Sequence, residues 1–143
     1  MADATLLTNA PVGAALPERT YGPITRTVLA LFAGASGDHN PIHINIDFAK
    51  RAGMDDVFAH GMLSMAYLAR YVQNFADASA LRSWNVRFVA ITPVNTSLIC
   101  SATVASRDAG AVKLALRART PDGVETLAGE AIISLEEAPG APA

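Results

Sequence analysis

The fold is decided by residues 62–75, which read MLSMAYLARYVQNF. Wound into a helix, this stretch places apolar side chains on nearly every face instead of along one stripe. A helix of that kind must be covered by other parts of the structure on several sides. The segment therefore predicts a central, buried helix, and its apolar members are Met62, Leu63, Met65, Ala66, Leu68, Ala69 and Val72.

Downstream of this helix the apolar residues change to the two-residue spacing of β-strands. In residues 112–119, Val112, Leu114 and Leu116 alternate with the charged Lys113 and Arg117. That alternation is typical of a strand with one buried face. Strands are also predicted at 84–90, 96–106 and 126–135, separated by turn-forming residues at 108–110 and 121–123. The second half of the chain is therefore expected to be an antiparallel meander of three to four long strands.

The part of the chain before the helix is predicted to be mostly helical. Thr25 suits the N-cap of a helix that should stop where small residues and glycines meet, between Gly34 and Gly37. Residues 1–15 are predicted as an irregular arm, 16–21 as a short strand and 136–143 as a flexible tail. Helices followed by an antiparallel sheet indicate the α+β class, as a single domain spanning residues 1–143 in which the sheet curls around the central helix.

Charge and cysteine content exclude several classes of function. Eleven basic and thirteen acidic residues are mixed along the chain, for a net charge of −2. Without a dense Lys/Arg cluster we expect no nucleic acid and no membrane surface as partner. The single cysteine, Cys100, lies in a strand-like run, so we expect a packed, unreactive thiol. No basic region precedes the first apolar stretch, so no signal peptide is predicted, and a cytoplasmic protein is expected.

Residues 36–43, which read SGDHNPIH, bring most of the titratable groups together. All three histidines of the chain, His39, His43 and His60, fall within 22 residues, and Asp38 lies beside the first of them. The residue before Pro41 is disfavoured in a helix, so this segment is predicted to be a loop. A carboxylate close to an imidazole is the pairing that acid–base chemistry requires. From these residues alone, a capping aspartate and an ordinary loop histidine remain the alternative.

The run from Ala35 to His43, followed after five residues by Ala49, resembles the signature of the MaoC-like (R)-specific enoyl-CoA hydratases and dehydratases. Residues 59–63 (AHGML) and 85–88 (NVRF) resemble two further segments of that family, so the resemblance covers roughly residues 16–135. Length and spacing are most similar to those of the single-domain bacterial members. The resemblance implies a hotdog fold, in which an antiparallel sheet wraps a long central helix.

The same resemblance implies an activity. Water would add to the β-carbon of a trans-2-enoyl thioester while a proton adds to the α-carbon, or the reverse, in fatty-acid or polyhydroxyalkanoate metabolism. Asp38 and His43 would activate that water, with the proton moved by each left open, and Asn40 would orient the pair or bind the water. Negative charge then develops on the thioester oxygen. The unpaired first amides of the central helix suit this charge, so Gly61 is predicted as the oxyanion donor.

Other polar residues near this site receive supporting roles. Ser36, His60 and Ser64 are predicted to lie around the pair, with a bond from Ser64 back to its own helix as the alternative. His39 is expected to be non-catalytic. The histidines and Asp38 lack the spacing of metal ligands on a regular element, so neither a metal nor a redox cofactor is predicted. CoA, or the phosphopantetheine of an acyl carrier protein (ACP), would arrive as part of the substrate.

Two other functions remain open at this stage. One is an acyl-CoA thioesterase of the same fold, in which water attacks the carbonyl carbon. The other is a non-catalytic, acyl-thioester-binding partner subunit. A small sheet leaves an edge strand and an apolar mouth uncovered, so we expect a homodimer or a heterodimer with a related hotdog subunit. The sequence does not decide the acyl chain length, the choice of CoA or ACP, or the physiological direction.

Overall fold

The computed structural model describes residues 4–135, which form four α-helices and five β-strands. The helices are α1 (Ala4–Asn9), α2 (Arg26–Ser36), α3 (Ile46–Arg51) and α4 (Gly61–Val72). The strands are β1 (Arg19–Tyr21), β2 (Leu81–Phe88), β3 (Leu98–Arg107), β4 (Ala111–Arg119) and β5 (Glu125–Ser134). Short 3₁₀ turns occupy Pro41–His43 and Ala78–Ala80. No helix within residues 4–135 has both the length and the apolar character needed to cross a bilayer.

The strands form one antiparallel sheet in the order β1-β3-β4-β5-β2. Strands β3, β4 and β5 are the predicted meander. The meander has three strands, the lower of the two predicted numbers, because β2 lies at the far edge beside β5, with Trp84 opposite Ala131 and Phe88 opposite Leu127. Residues 89–97 must therefore carry the chain across the sheet from β2 to β3. The β2 strand consequently has a free edge in the single chain.

Helix α4 packs against β3 and β4, which confirms the predicted central helix. Its buried residues are Leu63, Ser64, Leu68, Tyr71 and Val72. Tyr71 is fully buried, its hydroxyl donates to the carbonyl of Pro17 (3.1 Å), and burial raises the pKa of its phenol. The enclosure is incomplete on one side, because Met62 is 57% exposed.

Helix α2 begins and ends where the sequence predicts. The side chain of Thr25 accepts a hydrogen bond from the amide of Val28 (3.2 Å), which caps the first turn. At the other end, Gly37 takes the left-handed conformation (φ 76°) and its amide bonds to the carbonyl of Ala33. This closure turns the chain out of the helix directly into the segment that carries Asp38.

The segment predicted as an irregular arm is held more firmly than expected. Residues 4–9 form α1, and the side chain of Leu7 is buried in the core. The guanidinium of Arg107, on β3, donates to the carbonyls of Leu7 (2.7 Å) and Ala10 (2.5 Å). A six-residue helix is too short to be stable alone, so these tertiary contacts account for it. Residues 1–3 and the predicted tail, residues 136–143, lie outside the described part of the chain.

Cys100 is fully buried on β3. Burial raises the pKa of its thiol to about 12, so the reactive thiolate is absent at neutral pH. The predicted packed, unreactive cysteine is confirmed.

Candidate active site

The loop that carries Asp38 is built by short side chains bonding to nearby backbone. The hydroxyl of Ser36 donates to the carbonyl of Phe32 (2.7 Å) and accepts from the amide of Asp38 (3.2 Å). The carboxylate of Asp38 then accepts from the amide of Asn40 (3.2 Å). Ser36 thus bonds to the backbone of Asp38 at the end of α2, and its supporting role in the site stays a prediction.

Asn40 caps the 3₁₀ turn formed by Pro41–His43. Its side-chain oxygen accepts from the amide of Ile42 (3.1 Å), and Pro41 follows at the first position of the turn, where no amide hydrogen is needed. Asn40 therefore lies between the Asp38 segment and the turn that contains His43, and its role in orienting the pair stays a prediction. A direct contact of Asn40 with water stays a prediction.

His43 is nearly buried, and one of its ring nitrogens is locked by a hydrogen bond. Its Nδ1 lies 2.8 Å from the carbonyl oxygen of Phe58, and its ring lies edge-on to the Phe58 ring. A carbonyl can only accept, so Nδ1 carries the hydrogen in the neutral ring. The lone pair of neutral His43 is consequently at Nε2, which is the nitrogen able to take a proton.

Asp38, His43 and His60 converge on one place. One side-chain ligand atom from each residue lies within 4.8 Å of those of the other two. That spacing is longer than a hydrogen bond, and a water bonded to two groups spans about 4.5 Å between them. Asp38 is exposed to solvent while His43 is nearly buried. A carboxylate at the surface and an imidazole behind it can therefore hold a water between them.

His60 lies directly behind this pair and is 1% exposed. Its Nε2 contacts the backbone carbonyl of Asp38 (3.1 Å), and its ring stacks on the ring of His43 with centroids 4.0 Å apart. Burial lowers the pKa of His60, and the charge of a protonated His43 acts in the same direction; the bond to the Asp38 carbonyl opposes them. The structure therefore places His60 in contact with both Asp38 and His43, and its supporting role stays a prediction.

The same three residues are the described groups best placed to approach a cation. Two histidines and a carboxylate are a common ligand set for divalent transition metals. The rings of His43 and His60 are inclined by only 28° and stacked, so their nitrogen lone pairs run side by side instead of converging. Metal–nitrogen bonds of about 2.1 Å would require at least one ring to turn. The arrangement therefore suits water better than a metal ion.

The N-terminus of α4 presents unpaired amides next to this cluster. The first intrahelical bonds run from Leu63 (3.1 Å) and Ser64 (3.3 Å) to the carbonyl of His60, and the His60 side chain does not cap the helix. The amides of Gly61 and Met62 precede these bonds, as the first amides of a helix do. Gly61 also lines a cavity of about 310 Å³. The predicted oxyanion donor thus lies on the wall of a space that can receive a ligand.

That cavity is mainly apolar. A β-carbon placed on Gly61 would lie 3.0 Å from the ring of Phe88, so the glycine leaves only narrow room beside this ring. Its wall also contains three hydroxyl-bearing residues, Ser64, Thr92 and Thr126. The other lining residues are Phe58, Ala59, Val89, Ala90, Ile91 and Leu127.

Ser64 bonds across to the sheet side of the cavity and not to its own helix. Its hydroxyl donates to the hydroxyl of Thr92 (3.3 Å), and both residues are buried. The carbonyl of Thr92 accepts from the amide of Ala59 (2.9 Å), two residues before Gly61. Thr92 therefore fastens the start of α4 at two points. Its partners are 28 and 33 residues away along the chain, so no local pattern could have indicated this role.

His39, in the same loop, is exposed, and no described contact joins it to the cluster. Its expected non-catalytic status is consistent with this position. Phe58 and Phe88, in contrast, were not singled out from the sequence as parts of the site. The contact of Phe58 with His43 could not be predicted from the residue type, because the backbone carbonyl of Phe58 makes the hydrogen bond.

Comparisons with known proteins identify the family of the chain. The family model described as "MaoC like domain" matches residues 8–120. The fatty acid synthase subunit beta of Saccharomyces cerevisiae is 33% identical over 105 residues, which are 71% of this chain and 5% of that protein. The 3-hydroxyacyl-thioester dehydratase X of Mycobacterium tuberculosis is 39% identical over 88 residues, 61% of this chain and 30% of that protein. The chain therefore spans less than a third of the length of either curated relative.

A solved structure extends the comparison to the whole fold. The unliganded R-hydratase PhaJ1 from Pseudomonas aeruginosa superposes with a TM-score of 0.78 at 27% identity. The match covers 95% of this chain and 93% of that one. The predicted hotdog fold is confirmed by this likeness.

Proposed function

Because the chain belongs to the MaoC-like dehydratase domain family, we propose that it catalyses the (R)-specific hydration of trans-2-enoyl thioesters to 3-hydroxyacyl thioesters, or the reverse dehydration. The observation that carries the proposal is the placement of Asp38 and His43 within one water's span of each other, beside the open amides of α4. The substrate is an acyl-CoA or an acyl-ACP, used in fatty-acid or polyhydroxyalkanoate metabolism. The setting is the cytoplasm, where a lone thiol such as Cys100 stays reduced.

In the hydration direction, Asp38 and His43 hold the attacking water. The water oxygen forms a bond to the β-carbon, and the electron pair of the carbon–carbon double bond moves toward the thioester oxygen. Asp38 and His43 together remove one proton from the water and deliver one to the α-carbon, so no proton is gained or lost overall. The bond from His43 to the Phe58 carbonyl supports Nε2 as the atom through which His43 takes part.

The charge that develops on the thioester oxygen needs a donor already in place. The amide of Gly61 is that donor in this proposal, since it opens α4 and lines the cavity. A hydrogen bond of this type typically lowers the barrier by about 3 kcal/mol. The apolar wall around Phe88 and Leu127 then accommodates the acyl chain and excludes water from the enolate.

The chemistry proposed uses no metal and no redox cofactor. Hydration changes no oxidation state overall, and both proton steps can be served by a carboxylate and an imidazole. CoA or phosphopantetheine enters only as the part of the substrate that carries the thioester.

We also propose that the active form contains two hotdog chains, either identical or related. The free edge of β2 offers unpaired backbone groups, which a second sheet would satisfy. Phe88, Val89 and Ile91 are each about half exposed next to this edge, and they line the cavity. A partner chain would cover them. Light scattering of the purified protein distinguishes a homodimer from a chain that needs a different partner.

The test of the activity is a hydration assay with crotonyl-CoA and longer trans-2-enoyl-CoA substrates, followed by the loss of enoyl absorbance. We expect Asp38→Asn and His43→Ala each to abolish hydration without unfolding the protein, as checked by circular dichroism. His39→Ala is the matched control, because it changes an exposed imidazole of the same loop, and it should keep the wild-type rate. Near-native rates in both active-site variants would contradict the proposal. Free thiol released without hydration would identify a thioesterase, and binding without turnover would identify a non-catalytic subunit.

A further inference from the structure

We propose that His60 is a positioning residue, which ties the loop of Asp38 and His43 to the helix end that carries Gly61. The inference rests on the proposed function, because it concerns how that catalytic pair is held. His60 contacts all three parts: its Nε2 bonds to the Asp38 carbonyl, its ring stacks on His43, and it directly precedes Gly61 in the chain. Loss of the His60 side chain would remove the hydrogen bond to Asp38 and the stacking on His43.

The partner of Nε2 fixes the state of the ring. The Asp38 carbonyl can only accept a hydrogen bond, so Nε2 must carry a hydrogen and Nδ1 is the bare nitrogen of the neutral ring. Nδ1 is buried and has no hydrogen-bond partner among the described residues. Protonating it would place a donor without an acceptor in the interior, which is costly. His60 is therefore held as a neutral imidazole of one defined tautomer.

The surroundings of His60 agree with a neutral ring. The groups that face it are the His43 ring from the 3₁₀ turn, the Asp38 loop, and the apolar Phe32 ring from α2, which lies edge-on at 4.9 Å. A charged His60 stacked at 4.0 Å on His43 would repel the proton that His43 must take during catalysis. A neutral ring supplies the same packing without that repulsion.

The geometry gives His60 a role distinct from filling space. Its Nε2–H holds the backbone of Asp38, while its own backbone is held at the start of α4. The two halves of the site, the water-activating pair and the oxyanion amide, come from segments 22 residues apart. Among the described residues, His60 belongs to the segment that carries the oxyanion amide, and its side chain bonds to the loop that carries the water-activating pair. Catalysis is sensitive to such spacing, since a displacement of about 1 Å can cost about a hundredfold in rate.

The first test needs no substrate. The protein contains only three histidines, so ¹⁵N labelling of histidine gives a spectrum of three rings. We expect the neutral ring of His60 to carry its hydrogen at Nε2 and the neutral ring of His43 to carry its hydrogen at Nδ1. A neutral His60 ring protonated at Nδ1, or a His60 ring that carries hydrogens on both nitrogens at neutral pH, would overturn the proposal.

The second test separates the hydrogen bond from the ring packing. His60→Phe keeps a stacked ring without a donor, His60→Asn places an amide near the Nδ1 position, and His60→Gln reaches the Nε2 position with an N–H donor. We expect kcat to fall about 10- to 100-fold in the Phe and Asn variants with little change in KM, and to recover in the Gln variant. An equally poor Gln variant, or a Phe variant at the wild-type rate, would refute the role.

The two tests fail for different reasons. If the wild-type protein hydrates no enoyl thioester, the proposed function is wrong, while the tautomer of His60 still decides whether it holds the loop. If a variant does not fold, as judged by circular dichroism, the spectrum of the wild-type protein remains decisive.

Discussion

Replacing Gly61 by alanine should separate catalysis from stability, because the new methyl group should hinder the reaction and leave the free energy of unfolding nearly unchanged. The added β-carbon would lie 3.0, 3.2 and 3.3 Å from three atoms of the Phe88 ring. The Phe88 ring is half exposed and lies at the end of β2, so it can move aside by a few tenths of an ångström. Alanine in a helix is favoured over glycine by up to about 1 kcal/mol. The free energy of unfolding should therefore stay within about 1 kcal/mol of the wild-type value.

Activity should fall sharply in the same variant. In the proposed mechanism, the methyl group would narrow the space through which the thioester oxygen approaches the Gly61 amide. Loss of one oxyanion donor costs about 3 kcal/mol in the barrier, or roughly a hundredfold in kcat. The assay is the initial rate of crotonyl-CoA hydration, measured beside urea unfolding of the same preparation.

Gly34→Ala provides the matched control. Gly34 lies inside α2, and a β-carbon there meets nothing within 4 Å. This variant should gain up to about 1 kcal/mol of stability and keep the wild-type rate. A Gly61→Ala protein that hydrates at the wild-type rate would refute the placement of the oxyanion donor. Recovery of the rate by adding Phe88→Ala would show that displacement of the ring, and not shielding of the amide, caused the loss.

Further predictions concern stability. Gly129→Ala should lower the free energy of unfolding by about 3 kcal/mol, because its β-carbon would lie 2.2 Å from the backbone oxygen of Asn85 and push β2 off the sheet. Thermal melting checks this prediction, and an unchanged melting temperature would contradict the register of β2 and β5. Arg107→Met should cost about 2 kcal/mol in urea unfolding through the lost bonds to the carbonyls of Leu7 and Ala10, whereas Arg82→Met, which removes a single exposed bond, should cost little. The pKa of His60 is lowered from its ordinary value of 6.5, so the unfolded chain binds a proton that the folded protein resists, and stability should decline as the pH falls below 6.5. Urea midpoints between about pH 7.5 and pH 5 measure that slope, and an equal slope in His60→Gln would assign it to other groups.

Local features of the fold were predictable because they depend on neighbouring residues. The cap by Thr25 and the stop at Gly37 both follow from the residue type at one position. The alternation in β4 likewise needed only residues 111–119. The placement of β2 was not predictable in this way, because alternation shows that a segment is a strand and not which strand it joins. Helix α1 escaped prediction for a similar reason, since Arg107 stabilises it from 100 residues away.

The candidate site shows the same division. Asp38 and His43 were identifiable because their chemistry and spacing lie in one short loop. The contact from the backbone carbonyl of Phe58 to His43 was not identifiable, because it does not depend on residue type. His60 was expected near the pair, but its bond to the Asp38 carbonyl depends on how a later segment folds back. The bond from Ser64 to Thr92 was missed because a helical serine has acceptors in its own backbone, and only the position of the sheet shows that it bonds elsewhere.

The half-exposed residues Phe88, Val89 and Ile91 belong to two surfaces at once, the wall of the cavity and the rim of the free sheet edge. In the proposed two-chain form, substrate binding and chain association are thermodynamically linked, and an acyl chain that adds contacts across this shared surface favours association by the same factor by which association favours its binding. An acyl chain that presses against this wall should tighten the assembly, and dilution of the protein should weaken its affinity for long chains more than for short ones. Substitutions at these positions that change the preferred acyl chain length would also change the strength of the proposed assembly. Substrate preference and assembly strength would then not vary independently.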